Sequence, residues 1–172
     1  MGDPAVNIRR YRATTDRDAV IAVMEEALSA TNARFHDPPP AGDPTVVFNP
    51  RNTPDAAFLV AADRTTDMIV GTGAFRPLAP ENIPDIAVDS VAELKRMHVR
   101  PAYQRQGIGR RLLARLRDQA RTFGYTTFLL QTTEYQHAAI AFYRDEGFEQ
   151  VDCEVLQIDG SPVELLTFCG PV

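Results

Sequence analysis

The stretch that most constrains this chain is residues 107 to 123, an amphipathic helix launched from a glycine turn. Ile108, Leu112, Leu116 and Phe123 share one face, and arginines line the other. Gly124 stops the helix, as glycine does at C-termini. Val91 to Val99, just upstream, reads as a strand, and only Pro101 and a short loop separate the two elements. A strand feeding a helix this directly points to α/β layering. The remaining segments alternate in the same way. Asn7 to Tyr11 reads as a strand. Thr14 or Thr15 is expected to cap a helix to about Ala30, with Val20, Ile21, Met24 and Leu28 on one face. Ala57 to Ala62 and Met68 to Phe75 read as paired strands, Phe128 to Thr132 as a buried strand and Gln136 to Glu146 as a helix ended by Gly147. Val151 to Ile158 and Val163 to Cys169 read as a hairpin turning over Asp159-Gly160-Ser161. Residues 31 to 56 hold six of the 13 prolines and cannot form a long helix or an inner strand. The fold class expected is α/β in a single domain over 1–172.

The chain totals 172 residues with a net charge of −5, which argues against a general nucleic-acid binder. No apolar run is long enough to span a membrane, and no leader is visible, so the cytoplasm is the expected compartment. Cys153 and Cys169 are expected to be buried thiols. His36 and His137 lack neighbours at ligand spacing, so no metal is expected, and His98 alternates with Met97 and Val99 and so faces the opposite side of the sheet. Between 94 and 121, nine basic residues face one acid, Asp118. That patch is either a solvated helix face or a local site for a polyanion. The turn Gln104-Arg105-Gln106-Gly107-Ile108-Gly109-Arg110 supports the second reading. Its glycines let an anion approach the backbone, and the first N–H groups of a helix have no intrahelical partner. Leu112 stands where a dinucleotide fingerprint needs its third glycine, and no Gly-Lys-Ser/Thr follows, so neither familiar phosphate motif is present.

Glu93-Leu94-Lys95-Arg96-Met97-His98-Val99-Arg100-Pro101, the Gln104-x-x-Gly107-x-Gly109 turn, Ala139-Ile140-Ala141-Phe142-Tyr143 and Gly147-Phe148 together resemble the GNAT superfamily of acyl-CoA-dependent N-acetyltransferases. The dense part of the resemblance covers residues 93 to 148. It implies a mixed six- or seven-stranded sheet with helices on both faces and two central parallel strands that splay around a pantetheine arm. It implies that the backbone of Met97, His98 and Val99 binds the pantetheine and polarises the acetyl carbonyl. Arg105, Gln106, Gly107, Ile108, Gly109 and Arg110 would hold the pyrophosphate of acetyl-CoA. Gln136 stands where many members carry a cofactor-contacting Asn. Tyr143 matches the tyrosine that faces the coenzyme sulfur and protonates it as it leaves. The strand position at which some members carry a basic Glu is Gln131 here. Glu93 is therefore the preferred base, with Glu134 or a water path behind it. A small cationic amine is the expected acceptor, suited by Glu81, Asp85, Asp89 and Glu93. A protein N-terminus or lysine is the alternative, as is a non-catalytic acyl-CoA-binding module. Family members are often dimers, so a homodimer partner is allowed.

Overall fold

The computed structural model describes residues 5–31, 53–78, 90–158 and 160–172. The elements are β1 Val6–Arg10, α1 Arg17–Ser29, β2 Ala57–Asp63, β3 Ile69–Pro77, β4 Val91–Val99, α2 Ile108–Thr122, β5 Thr127–Thr133, α3 His137–Asp145, β6 Glu149–Ile158 and β7 Ser161–Pro171. The strands form a seven-stranded sheet in the order β1-β2-β3-β4-β5-β7-β6. Among the described residues β4 and β5 are its one parallel pair, and every other neighbouring pair is antiparallel.

Strand β2 shows why helices must cover both faces. Its side chains alternate sides, yet all from Ala57 to Ala62 are buried. Ala57, Leu59 and Ala61 join one core with Ile108, Leu112, Leu113 and Leu116 of α2 and Ile140 and Tyr143 of α3. Phe58 and Val60 join a second core with Val20, Val23 and Met24 of α1. The sheet thus lies between α1 and the α2 layer. The polar face of α2 is solvated, as its periodicity predicts, but Phe123 follows the last helical turn and is 38% exposed, not part of the core face.

Helix α1 begins later than expected, at Arg17, with Asp16 at the N-cap position in place of Thr14 or Thr15. Asp16 makes no capping bond. Its buried carboxylate instead accepts bonds from Arg9 Nη1 at 2.6 Å, the Arg12 N–H at 2.8 Å and the Thr15 hydroxyl at 3.1 Å. Burial pushes the carboxyl pKa up, but these donors outweigh burial and hold it below the ordinary value. The cluster ties α1 to β1.

Cys153 is exposed and Cys169 half-buried, against the expectation of two buried thiols. The reason is that β6 is the sheet edge and is exposed along most of its length.

Candidate active site

Strands β4 and β5 pair only over Val91↔Thr127, Ala92↔Phe128 and Glu93↔Leu129. Beyond Glu93 they diverge, while β5 stays paired with β7 as far as Thr133. The N–H of Arg100 donates to Val70 on β3 at 2.8 Å. Backbone groups of successive strand residues face opposite edges, so the N–H groups of Val99 and Met97 face the gap. Gln104 Nε2 donates to the Val99 carbonyl at 3.0 Å, which fixes this end of the strand to the turn.

The gap opens into a cleft of about 410 Å³. Of the residues singled out in the sequence, Met97, His98, Val99, Arg105, Gly107, Ile108, Gly109, Arg110, Gln136 and Tyr143 all line it. Gln106 does not; its amide turns back to the Ala102 carbonyl at 3.2 Å. Gln104, which opens the turn, also lines it, as do Ala27 and Leu28 of α1 and Thr31 just beyond that helix. The end of α1 carries no residue type that signals a site in the sequence.

Gly107 occupies the N-cap of α2 with φ +79°, and no side chain caps the helix. Its carbonyl accepts the first helical bond from Arg111 at 3.1 Å. The N–H groups of Ile108, Gly109 and Arg110 therefore have no intrahelical acceptor. Arg105, also left-handed at φ +61°, precedes them. Uncapped N–H groups beside a positive helix end fit a diphosphate.

The basic patch is mostly not free to bind an anion. Lys95 pairs with Glu93 at 3.0 Å, Arg100 with Glu26, Arg110 with Glu146, and Arg121 with Asp118 at 3.0 Å. Arg117 donates to the Glu146 carbonyl at 2.8 Å. Of the cleft-lining arginines, Arg105 has no such partner among the described residues and Arg110 does. The polyanion reading thus narrows from a whole helix face to one turn.

Tyr143 lies two residues past the middle of α3 and is buried between Phe142 and Phe148, with ring centroids 5.4 and 5.5 Å away. Gly147, at φ +86°, ends the helix and lets the Phe148 N–H return to the Tyr143 carbonyl at 2.9 Å. Phe148 is buried in the core, and Phe142 borders the cleft. Desolvation raises the Tyr143 hydroxyl above its ordinary pKa. The group therefore stays protonated through the neutral range and is a donor, not a base.

Glu93 is not placed as a free base. It is 7% exposed and outside the cleft lining, with Arg76 Nε at 2.7 Å and Lys95 Nζ at 3.0 Å from its oxygens. Arg76 faces it across the β3–β4 ladder from 17 residues away in the chain, which sequence spacing conceals, whereas Lys95, two residues on along β4, shares its face of the strand. Glu134 also lies outside the lining and accepts the Glu164 N–H at 3.0 Å. Gln131 is exposed, 3.4 Å from Thr167 Oγ1. Glu81, Asp85, Asp89 and His36 lie outside the described residues. Among the described residues no group of three His, Cys, Asp or Glu could hold a metal ion, and no helix is long and apolar enough to cross a membrane.

The ion-pair geometry of Glu93 yields an expected outcome. Glu93→Gln removes the carboxylate charge that Arg76 and Lys95 share, at a cost of about 1–2 kcal/mol. The melting temperature falls by roughly 3–8 °C, and acetyl-CoA affinity stays within about twofold of wild type by calorimetry. A kcat loss above roughly 100-fold without a thermal shift would return Glu93 to the role of base.

The Acetyltransferase (GNAT) family matches residues 22–148. The chain belongs to the GNAT family. It is accordingly an acyltransferase that depends on acetyl-CoA. An IAA acetyltransferase from Azospirillum brasilense is 34% identical over 145 residues, covering 83% of this chain and 84% of that protein. The bS18-alanine N-acetyltransferase of Escherichia coli K12 is 40% identical over 68 residues, covering 40% of this chain and 45% of that one. In fold, the GNAT chain superposes on Salmonella typhimurium yncA, solved with its cofactor acetyl-CoA. The TM-score is 0.73 at 22% identity, over 97% of this chain and 94% of the other. The mixed seven-stranded sheet with helices on both faces is thus the GNAT fold that the sequence resemblance implied.

Proposed function

We propose that this GNAT protein transfers the acetyl group of acetyl-CoA to a primary amine, with a small cationic amine as acceptor and direct attack while both substrates are bound. The observation that carries this reading is a single cleft lined by the uncapped turn at Gly107, the end of β4 from Met97 to Val99, and Gln136 and Tyr143 of the α3 segment.

The residues divide the work. The N–H groups of residues 108–110, with Arg105 beside them, hold the diphosphate. The Met97 and Val99 N–H groups hold the pantetheine end, and one of them faces the carbonyl oxygen where negative charge gathers during attack. Gln136, at the N-cap of α3, borders the same cleft and supplies an amide to the cofactor. Acetyl-CoA supplies the acetyl thioester. Tyr143 donates its proton to the departing sulfur, whose conjugate acid has a pKa near ~8.5. The acceptor must also lose a proton. A lysine-like amine is neutral in only about one molecule per few thousand at pH 7, a deficit of ~4–5 kcal/mol. With Glu93 and Glu134 engaged elsewhere, a water path through the cleft carries that proton away.

The acid-only loop of residues 77 to 90, whose Glu81, Asp85 and Asp89 lie outside the described residues, favours a cationic acceptor. The likeness to a ribosomal-protein alanine acetyltransferase over 68 residues favours a second reading, a protein N-terminus. Release of free CoA thiol, measured against a panel of polyamines, amino acids, aminoglycosides and Ala-starting peptides, separates them. Turnover of at least one small cationic amine, at a kcat/KM well above that of any peptide, is expected. Preference for a peptide would transfer the reaction to proteins. Binding of acetyl-CoA without turnover of any amine would make the chain a binding module.

A further inference from the structure

We propose that Thr72 is a positioning residue for the acetyl thioester: its buried hydroxyl locks the bulge in β4 that aims the Met97 N–H into the cleft. The inference rests on the acetyl-CoA reading above and adds to it a residue on a different strand.

The register between β3 and β4 runs Gly71↔Val99 and Thr72↔His98, then resumes at Ala74↔Lys95. Two residues, Arg96 and Met97, therefore oppose the single residue Gly73, which is a β-bulge. Arg96 takes φ +59°, a left-handed conformation that a non-glycine residue keeps only where its surroundings impose it. Two contacts impose it. On one side, Met97 lies over Gly73, where an added Cβ would stand 2.6 Å from Met97 Sδ and 2.9 Å from Leu116 Cδ1. On the other, Thr72 Oγ1 donates to the Arg96 carbonyl at 2.7 Å, and Thr72 is wholly buried.

The second contact bears on chemistry through the peptide unit. The Arg96 carbonyl and the Met97 N–H belong to one planar trans peptide and point in opposite directions. Among the described residues no peptide bond is cis. Holding the oxygen against Thr72 therefore points the Met97 N–H away from β3, toward the gap. The divergence of β4 from β5 begins after Glu93, three residues before the bulge residue Arg96, while β5 keeps its pairing with β7. β4 in turn stays paired with β3 as far as Val99, and within that ladder the Thr72 hydrogen bond holds the bulge. A hydroxyl that only satisfied itself would have no reason to select the carbonyl of the one left-handed residue in the strand.

The test uses Thr72→Val, which keeps the side-chain shape, and Thr72→Ser, which keeps the hydroxyl, in the full chain. Calorimetry measures acetyl-CoA and, separately, ADP, which carries a diphosphate but no pantetheine or acetyl group. Amide exchange at Met97 is followed in ligand-free protein. For Thr72→Val the expected result is a roughly tenfold weaker acetyl-CoA Kd, equivalent to about 1.4 kcal/mol. ADP affinity should be unchanged, Met97 exchange altered, and Thr72→Ser should restore acetyl-CoA binding. Equal acetyl-CoA affinity in wild type and Thr72→Val overturns the proposal. So does equal weakening of both ligands, which marks a general effect on the fold. If wild type binds neither ligand, the acetyl-CoA reading itself fails and takes this inference with it.

Discussion

Tyr143→Phe lowers kcat roughly 100-fold or more, and the KM for acetyl-CoA stays within about threefold of wild type. The substitution removes one oxygen and keeps the ring that packs between Phe142 and Phe148. The aromatic cluster and the end of α3 therefore survive, and melting temperature should change little. What disappears is the hydroxyl proposed above as the donor to the leaving sulfur. Burial favours the protonated hydroxyl, so it is present as a hydrogen-bond donor through the neutral range and does not serve as a base. The linkage has a definite sign. Because the folded pKa lies above the ordinary 10.0, the stability tied to the protonated hydroxyl is complete below about pH 10 and is lost as pH rises beyond it. Tyr143→Phe should lack that share of the alkaline loss. Stopped-flow thiol release and melting curves from pH 8 to 11 check both parts. A variant with full kcat would remove Tyr143 from the chemistry.

Gly107→Val weakens acetyl-CoA binding by roughly 30-fold, corresponding to about 2 kcal/mol. The residue holds φ +79°, where a β-branched side chain is strained. Nothing lies within 4 Å of an added Cβ, so the backbone is free to relax instead of tolerating the strain. Relaxation turns the N–H groups of residues 108–110 away from one another, and the loss falls on the ligand more than on the fold. Gly109→Ala is the contrast. An added Cβ there sits 3.7 Å from the Phe142 ring, an ordinary contact inside a helix, so affinity should hold within about twofold. The two glycines of one motif thus do different work: the first shapes the turn, and the second merely begins the helix. Calorimetry on both variants checks this, and equal losses would contradict it.

Much of this site was legible in the sequence because its signals are local. The period of α2, the glycine before it and the Gly147 stop after α3 each act within a few residues, and they stand as read except for Phe123, which falls past the last turn of α2. Tyr143 stood out only through the resemblance of the stretch from Ala139 to Phe148 to the family, since an aromatic at that spacing reads equally well as packing. The failures are long-range. Glu93 read as a free carboxylate because Arg76 reaches it only across a ladder formed on folding. The arginine patch read as an anion site because Glu26 and Glu146, which neutralise Arg100 and Arg110, lie 74 and 36 residues away in the chain. The bulge at Arg96 carried no signal at all, since no glycine marks the left-handed residue. Cys153 read as buried because strand pattern does not reveal which strand is the edge.

The central claim is that the turn at Gly107 and the open edge of β4 form one acetyl-CoA site. Backbone amide NMR of the wild-type chain titrated with acetyl-CoA tests it most directly. The account predicts saturable shifts that are largest at Met97, Val99 and residues 107–110, with little change along β6. Unmoved amides at millimolar acetyl-CoA, or shifts centred on another part of the sheet, would contradict it.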